Sequence, residues 1–212
     1  MRVNWLAAVT AAALAAGGCA TQPPGTHDHP TKWDTPSADF TGPEAPITRA
    51  GAPVALTGET LHIGDRAPDA ELVTCDMGEM RISDLRGRIV VLSIAPSLDT
   101  AVCNSQTIRF NELAPLFGED VVVVSASADL PSALSRWRAE RNTRQITLVS
   151  DYHYRQLGKA YGLLMPASSL LARAAIVIDR EGVIRHIEVV GDLTREPDYV
   201  AVARTVEELQ QR

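Results

Sequence analysis

The 212-residue sequence lacks the features that mark cofactor-dependent and nucleic-acid-binding proteins. It has no glycine-rich phosphate loop, no C-x-x-C pair and no clustered set of histidine and cysteine ligands. The 20 basic side chains are outnumbered by 26 acidic ones, so the formal net charge is −6. This balance argues against a nucleic-acid partner, which requires a basic surface. We therefore expect neither a cofactor nor a metal.

The N-terminus has only a short apolar run. Residues 6–16 are too few to span a bilayer, which takes roughly 20 apolar residues, and the pattern is typical of a signal peptide. The run ends Ala15-Ala-Gly-Gly-Cys19, which resembles a bacterial lipobox although alanine stands where leucine is most usual. We predict a lipoprotein-type signal peptide over residues 1–18 and lipidation of Cys19, with ordinary cleavage nearby as the alternative.

The segment after the leader is polar and aperiodic. Residues 19–47 are rich in Pro, Thr, Gly and Asp, which predicts a disordered tether behind the lipidated cysteine. Ala20, in place of aspartate, resembles the outer-membrane sorting signal of Gram-negative lipoproteins. We therefore expect a periplasmic protein that contacts the membrane only through its lipid anchor. His27 and His29 are interpreted as part of the solvated tether, since two imidazoles on a flexible chain make a weak metal site.

The most informative motif follows a buried-strand pattern. Residues 88–94 form an apolar run, after which Pro96, Thr100 and Cys103 are spaced P-x-x-x-T-x-x-C. The amphipathic stretch 104–117 then predicts a helix. Its predicted apolar face comprises Ile108, Leu113, Leu116 and Phe117. Cys103 is therefore expected in the first turn of a helix at the carboxyl end of a central strand, where α/β sheets keep reactive groups.

These residue types suit a nucleophilic thiol. A cysteine attacks as thiolate, and free N–H groups at a helix start favour the anion. The Thr100 hydroxyl can hold both the sulfur and a substrate oxygen, while Pro96 fixes the backbone and removes a competing N–H. The best candidate for a fixed positive charge is Arg173, in an otherwise apolar strand, because an unpaired buried charge is costly. A surface arginine is the alternative.

The chain resembles the peroxiredoxins, in particular their thiol peroxidase (Tpx) branch. The resemblance runs in order from about residue 48 to the C-terminus. Besides the motif at Cys103, the matching segments are Phe110-Asn111, Asp129-Leu-Pro131, Ala160-Tyr-Gly162, Leu171-Ala-Arg-Ala174 and Glu196-Pro-Asp-Tyr199. The resemblance implies a thioredoxin-like fold and a homodimer. It also implies reduction of hydrogen peroxide and organic hydroperoxides by Cys103, with Pro96, Thr100 and Arg173 shaping the pocket.

One position departs from the family pattern. The resemblance places a resolving cysteine on the helix after Asp129-Leu-Pro131, where this sequence has Arg138. Cys75 is expected near the turn of an N-terminal hairpin. It is a possible alternative resolving cysteine, and the other interpretation is a solitary thiol with no catalytic role. We favour the solitary thiol and a single-cysteine mechanism, in which an external thiol, from a thioredoxin-like protein or a small molecule, reduces the Cys103 sulfenic acid.

Two competing functions remain. A thiol–disulfide oxidoreductase would have cysteine where Thr100 stands. A non-catalytic thioredoxin-fold lipoprotein, acting as a binding or redox-sensing module, would explain the missing resolving cysteine but not the joint presence of Pro96, Thr100, Cys103 and Arg173.

The region 48–212 is long enough for one α/β domain with its own core. We expect a mixed central sheet, flanking helices and an N-terminal β-hairpin within residues 53–80. The further predicted strands are 88–94, 121–125, 146–149, 174–178 and 183–190. A further helix is predicted to begin near Pro131, and a helical turn is predicted over residues 154–161. The last helix is predicted over 198–210, with Val200, Ala203, Val206 and Leu209 buried.

Overall fold

The computed structural model describes residues 46–212. The predicted signal peptide, Cys19 and the histidine pair of the tether lie outside the described residues. The first strand begins at Ile47, the last residue assigned to the tether, and this side chain is buried. None of the helices between residues 46 and 212 is long and apolar enough to cross a bilayer.

A mixed sheet of seven strands forms the centre of the fold, in the order β11-β10-β5-β6-β7-β3-β4. Strands β5, β6 and β7 are parallel, and the remaining pairs are antiparallel. The strands of this sheet are β3 (Glu71–Thr74), β4 (Glu79–Arg81), β5 (Ile89–Ile94), β6 (Val121–Ser127), β7 (Thr147–Ser150), β10 (Ala174–Ile178) and β11 (Ile184–Val189). This confirms the predicted mixed sheet.

The central strands are covered on both faces, as their uninterrupted apolar sequences indicate. All six residues of β5 are buried. Because side chains alternate along a strand, Val90, Leu92 and Ile94 join one apolar cluster, whereas Ile89 and Val91 join the other. The sheet therefore separates two cores.

Of the four α-helices within residues 46–212, three contribute to the same core. Phe110 of α1, Trp137 of α2 and Val206 of α4 belong to the same apolar cluster, while Leu157 of α3 belongs to the cluster on the opposite face. The helices are α1 (Ala101–Phe117), α2 (Pro131–Arg141), α3 (Gln156–Ala160) and α4 (Tyr199–Gln210), and a 3₁₀ turn covers Ile82–Leu85. Each predicted helix is present.

Short hairpins complete the fold. β1 (Ile47–Arg49) pairs with β2 (Ala52–Val54), and β8 (Leu164–Met165) pairs with β9 (Leu170–Leu171). The N-terminal hairpin is thus confirmed, but the range 53–80 predicted for it is wrong. That range holds the end of β1–β2 and most of a second hairpin, β3–β4, at the edge of the central sheet.

Two predicted core positions are wrong. Leu116 of α1 is 77% exposed and Val200 of α4 is 67% exposed. The buried face of α1 instead carries polar residues, Gln106 and Thr107, beside Cys103 and Phe110. Both polar side chains lie near serines of the sheet: Gln106 bonds Ser93, and the Thr107 hydroxyl is 3.4 Å from that of Ser125.

Candidate active site

Cys103 lies in the first turn of α1, as the sequence predicts. Thr100 is the N-cap, and its carbonyl accepts the amide hydrogen of Asn104 at 2.9 Å. The preceding loop leaves the carboxyl end of β5, so Cys103 sits at the edge where the parallel strands end. Cys103 is 1% exposed, so the sulfur is shielded from bulk water although it still contacts polar groups.

Two donors converge on the sulfur of Cys103. The Thr100 hydroxyl lies 2.8 Å from Sγ, and Nη2 of Arg173 donates to Sγ at 3.3 Å. The Thr100 side chain makes no cap bond to the helix, so its single hydroxyl hydrogen can go either to the sulfur or to the Ser97 carbonyl at 3.1 Å. Pro96 is buried in the same loop. The structure thus brings together all four residues named from the sequence, and the donor arrangement suits a sulfur anion.

Arg173 is a buried residue and not a surface arginine, since its side chain is 1% exposed. It directly precedes β10, and its Nε and Nη2 donate to the Leu193 carbonyl at 3.3 and 2.9 Å. Its Nη1 donates to Oε1 of Gln106. Within the described part of the chain, none of the ion pairs includes Arg173. The guanidinium is therefore held by neutral acceptors and donates to the sulfur of Cys103, a side chain that can become an anion.

A carboxylate on a neighbouring strand end anchors the loop before Cys103. Asp129, which follows β6, accepts hydrogen bonds from the Ser97 hydroxyl at 2.6 Å and the Leu98 amide at 2.7 Å. The Ser127 hydroxyl adds a third at 2.8 Å. Sequence reasoning noted the Asp-Leu-Pro segment without assigning it a role. The loop's geometry thus depends on β6 as well as on β5.

The loop after β11 joins the N-terminal hairpin to the site. Asp192 accepts from the Thr48 hydroxyl at 2.9 Å and from the Thr194 hydroxyl at 2.6 Å. The hydrogen bonds from Thr194 hold the pKa of Asp192 well below its ordinary value, so the carboxylate stays ionised. The adjacent Leu193 carbonyl is the acceptor for Arg173, which ties β1 to the position of the guanidinium.

A cavity of about 480 Å³ opens beside Cys103. The active-site loop, the N-terminal hairpin and the β8–β9 hairpin all contribute to its walls. Apolar wall residues include Pro53, Val54, Met165, Leu170 and Leu193, whereas Thr100, Arg173 and Arg49 are polar. An apolar chain attached to a polar reacting group fits such a cavity. Within residues 46–212, no group of three or more His, Cys, Asp or Glu side chains could hold a metal ion.

Cys75 lies in the turn of the β3–β4 hairpin, where the sequence predicts it, and both it and Cys103 are free thiols. Its side chain is 4% exposed, and burial raises the pKa of its thiol. Arg138 of α2, at the position the family resemblance gives to the resolving cysteine, donates to Asp76 at 2.7 and 3.3 Å. Cys75 therefore lies beside a surface ion pair and keeps its proton at neutral pH.

Gln106 is the contact that sequence reasoning missed. It follows Cys103 by three residues, so the two side chains share a helical face, which is the only signal the sequence offers. Its partners, Ser93 and Arg173, belong to other elements of the fold.

Comparison with known proteins agrees with this geometry. Residues 63–187 match the family model described as the AhpC/TSA family. The thiol peroxidase of Bacillus subtilis (strain 168) is 39% identical over 155 residues, covering 73% of this chain and 92% of that protein. The thiol peroxidase of Aquifex aeolicus (strain VF5) is 42% identical over 167 residues, covering 77% of this chain and 97% of that protein.

A solved structure supports the same conclusion. The crystal structure of a peroxiredoxin-like protein from Aquifex aeolicus superposes with a TM-score of 0.73 at 38% sequence identity, covering 77% of this chain and 96% of that chain. The predicted thioredoxin-like peroxiredoxin fold is thereby confirmed. The chain belongs to the AhpC/TSA family and is a peroxiredoxin, an oxidoreductase with thiol-dependent peroxidase activity.

Proposed function

We propose that Cys103 is the residue that reacts with peroxide, with Thr100 and Arg173 as its donors and Pro96 shaping the loop. The observation that carries this proposal is the convergence of two donors, at 2.8 and 3.3 Å, on one buried sulfur. Such donors favour the thiolate, and they stand ready to support negative charge on the peroxide oxygens as the O–O bond breaks.

The first step is a two-electron transfer from sulfur to oxygen. The Cys103 thiolate attacks the terminal oxygen of R–O–O–H, so an S–O bond forms and the O–O bond breaks. The alkoxide leaves and takes up a proton to give the alcohol, or water from hydrogen peroxide. The sulfur, now oxidised, is a sulfenic acid.

Replacement of the sulfur tests this assignment. Cys103→Ser should abolish peroxide consumption in the presence of a thiol reductant, because an alcohol at this site cannot form the sulfenic acid. Cys75→Ser is the matched control, also removing a buried thiol, and should retain the wild-type rate. Wild-type turnover by Cys103→Ser would contradict the assignment.

We further propose that an external thiol completes the cycle. A thiol condenses with the sulfenic acid to give a mixed disulfide and water, and a second thiol then restores Cys103. Two features support this single-cysteine route. Cys75 is buried as a neutral thiol, and Arg138, not a cysteine, occupies α2 where the family resemblance expects the resolving residue.

The choice between an external and an internal resolving thiol can be measured in turnover. With a small thiol or a thioredoxin-like protein as reductant, Cys75→Ser should sustain the same steady-state rate as the wild type at every reductant concentration. A rate that falls only when Cys75 is missing would identify Cys75 as the resolving residue.

The cavity beside Cys103 favours organic hydroperoxides, including those of lipids, in addition to hydrogen peroxide. Val54→Asp would place a carboxylate on its apolar wall. It should lower kcat/KM for long-chain hydroperoxides and leave kcat/KM for hydrogen peroxide unchanged. Ile63→Asp is the control, since Ile63 is exposed and lies outside this cavity. Equal loss for both substrates in Val54→Asp would contradict a role in specificity.

We also propose that the protein is a periplasmic homodimer anchored to the outer membrane through Cys19. The support is the sequence pattern of residues 1–19 and the family resemblance. Wild-type protein should fractionate with outer membranes and Cys19→Ser with the soluble periplasm. Equal partition of both would argue against lipidation, and sedimentation of the soluble form as a monomer would argue against the dimer.

A further inference from the structure

Arg49 lies in the N-terminal hairpin, at the exposed rim of the cavity beside Cys103. Side chains alternate along a strand, so Arg49 shares a face of β1 with Ile47, which is buried in the core. On β2, Val54 lies opposite Ile47 and Ala52 lies opposite Arg49. Arg49, Ala52 and Val54 all line the cavity. The hairpin therefore forms one cavity wall that is apolar towards the core and charged at its exposed end.

The charges that line this cavity are all positive. Among the described residues of its wall, Arg49 and Arg173 are charged, and none is an aspartate or glutamate. The Arg173 guanidinium already donates to Cys103 and to the Leu193 carbonyl. Arg49 is exposed, and within residues 46–212 its side chain forms neither an ion pair nor a hydrogen bond. Its guanidinium is thus available to an acid group on a ligand.

Asp192 holds the turn that carries Arg49 without pairing with the guanidinium. Its carboxylate accepts from the amides of Ala50 and Gly51 at 3.3 and 3.4 Å and from the Thr48 hydroxyl at 2.9 Å. These donors lie on both sides of Arg49 in the chain, so the backbone at this position is fixed before a ligand binds. A fixed backbone lowers the entropic cost of binding through the side chain that it carries.

We propose that Arg49 is a specificity-determining residue that binds the carboxylate of a fatty acid hydroperoxide. The proposal rests on the proposed function, since Cys103 remains the reacting group, and it names the headgroup of the substrate. The guanidinium holds the carboxylate at the rim, and the apolar chain lies along Val54, Met165 and Leu170. The planar fork of a guanidinium matches a carboxylate, which favours the acid over an uncharged ester.

The test compares two substrates that differ only in the headgroup. The hydroperoxides of linoleic acid and of methyl linoleate have the same chain, and the acid alone carries a negative charge. With a thiol reductant, the Cys19→Ser chain should show a kcat/KM about 3- to 10-fold higher for the acid, a modest ratio because an exposed charge pair is weak. Arg49→Gln should abolish this preference, and Arg49→Glu should reverse it because like charges repel.

Arg195→Gln is the matched control for Arg49→Gln. Arg195 is also exposed but lies outside the cavity, so this variant removes the same charge and should keep the wild-type preference for the acid. Arg49→Lys keeps the charge without the fork and should retain part of the preference. Equal kcat/KM for acid and ester in the unaltered cavity, or equal losses of preference in Arg49→Gln and Arg195→Gln, would overturn the proposal.

A phospholipid phosphate is the other acid group that Arg49 could bind. Vesicles of hydroperoxidised phosphatidylglycerol provide this comparison, and Arg49→Gln should slow their reduction no more than Arg195→Gln does. A loss in Arg49→Gln that is confined to vesicles would assign the guanidinium to a lipid headgroup and overturn the assignment to a fatty acid.

Binding without turnover separates this proposal from the proposed function. In calorimetric titrations, laurate should bind more tightly than methyl laurate to the Cys19→Ser chain, and Arg49→Gln should bind the two equally. If the protein consumed no peroxide, the proposed function would fail, yet these titrations would still decide whether Arg49 recognises a carboxylate. Equal binding of laurate and methyl laurate with Arg49 in place would overturn that role.

Discussion

The two cysteines within residues 46–212 are both buried, but their surroundings differ chemically. Cys103 is 1% exposed and Cys75 is 4% exposed. Cys103 lies in the first turn of α1 and faces the hydroxyl of Thr100 and the guanidinium of Arg173. Cys75 follows β3, which lies between β7 and the edge strand β4, and it belongs to an apolar cluster with Leu134 and Trp137 of α2. Burial alone therefore does not distinguish the two thiols, whereas the donors that reach the sulfur do, and on this difference we propose that Cys103 is the reactive one.

The contrast also explains how a charge is tolerated inside the fold. The Arg173 guanidinium is surrounded by acceptors that carry no charge, the Gln106 amide and the Leu193 carbonyl. At Cys75 the nearby arginine, Arg138, is already paired with Asp76 at the surface. A carboxylate partner compensates most of the positive charge of an arginine, which then stabilises a nearby thiolate less. An arginine beside each cysteine is therefore expected to stabilise a thiolate at Cys103 more than at Cys75.

Among the variants that test this difference between the two cysteines, substitution of Arg173 is expected to have the largest effect on the reaction with peroxide. Arg173→Ala should slow the reaction of Cys103 with peroxide by about 100- to 1,000-fold, because it removes a preorganised donor. The pH midpoint of Cys103 alkylation should rise as well. Stopped-flow peroxide kinetics and alkylation profiles measure both.

Arg109→Ala is the control for this variant, since Arg109 lies on the same helix but is exposed and paired with Glu112. Circular dichroism checks that the fold is retained. A wild-type alkylation profile for Arg173→Ala would remove Arg173 from the mechanism.

The next effect concerns the hydroxyl donor. Thr100→Val keeps the shape of the side chain and removes the group 2.8 Å from the sulfur, and should slow the same step by about 10- to 100-fold. Thr100→Ser keeps the hydroxyl and should recover most of the rate. Equal losses in the valine and serine variants would mean that the methyl group, and not the hydroxyl, is what the site requires.

Introducing a cysteine into α2 should affect the fate of the sulfenic acid more than the rate of its formation. Arg138→Cys should consume peroxide at the wild-type initial rate and form an internal disulfide with Cys103, detected as a mass loss of two hydrogens. Arg138→Ala removes the same bonds to Asp76 without adding a thiol and should show no disulfide. Failure of Arg138→Cys to form one would show that α2 is held too far from Cys103.

The smallest expected effect is a loss of folding stability at alkaline pH that is caused by ionisation of the Cys75 thiol. Burial raises the pKa of its thiol above the ordinary value of 9.0, so unfolding releases a proton once the pH exceeds that value. This contribution to stability is complete below pH 9.0 and is lost as the pH rises through the folded-state pKa. Thermal melts from pH 8 to 11 should therefore fall less steeply for Cys75→Ala than for the wild type. Parallel curves would contradict the raised pKa.

Much of this architecture follows from local sequence. The apolar runs of β5, β6 and β10 predict buried strands because both faces of a covered sheet need apolar side chains. The motif at Cys103 and the helix after it predict the thiol's position. The face of α1 was predicted less well, because periodicity favours Leu116 while the sheet presents Ser93 and Ser125 to Gln106 and Thr107.

The contacts that complete the site lie beyond local patterns. Arg173 is 67 residues from Gln106 and 20 from Leu193 along the chain. The pairing of β10 with β5 brings Arg173 to the strand that precedes α1, and the pairing of β10 with β11 brings it to Leu193, and no spacing rule encodes either pairing. The sequence therefore pointed to the candidate reactive groups, whereas their contacts with Gln106 and Leu193 became visible only in the folded chain.

The most direct test of the account is the intact mass of the protein after one equivalent of peroxide without reductant, using the Cys19→Ser chain so that two thiols remain. The account predicts the addition of one oxygen, mapped to Cys103. Loss of two hydrogens, or a disulfide-linked dimer through Cys75, would contradict the single-cysteine mechanism, and an unchanged mass would contradict the assignment of Cys103 as the reacting group.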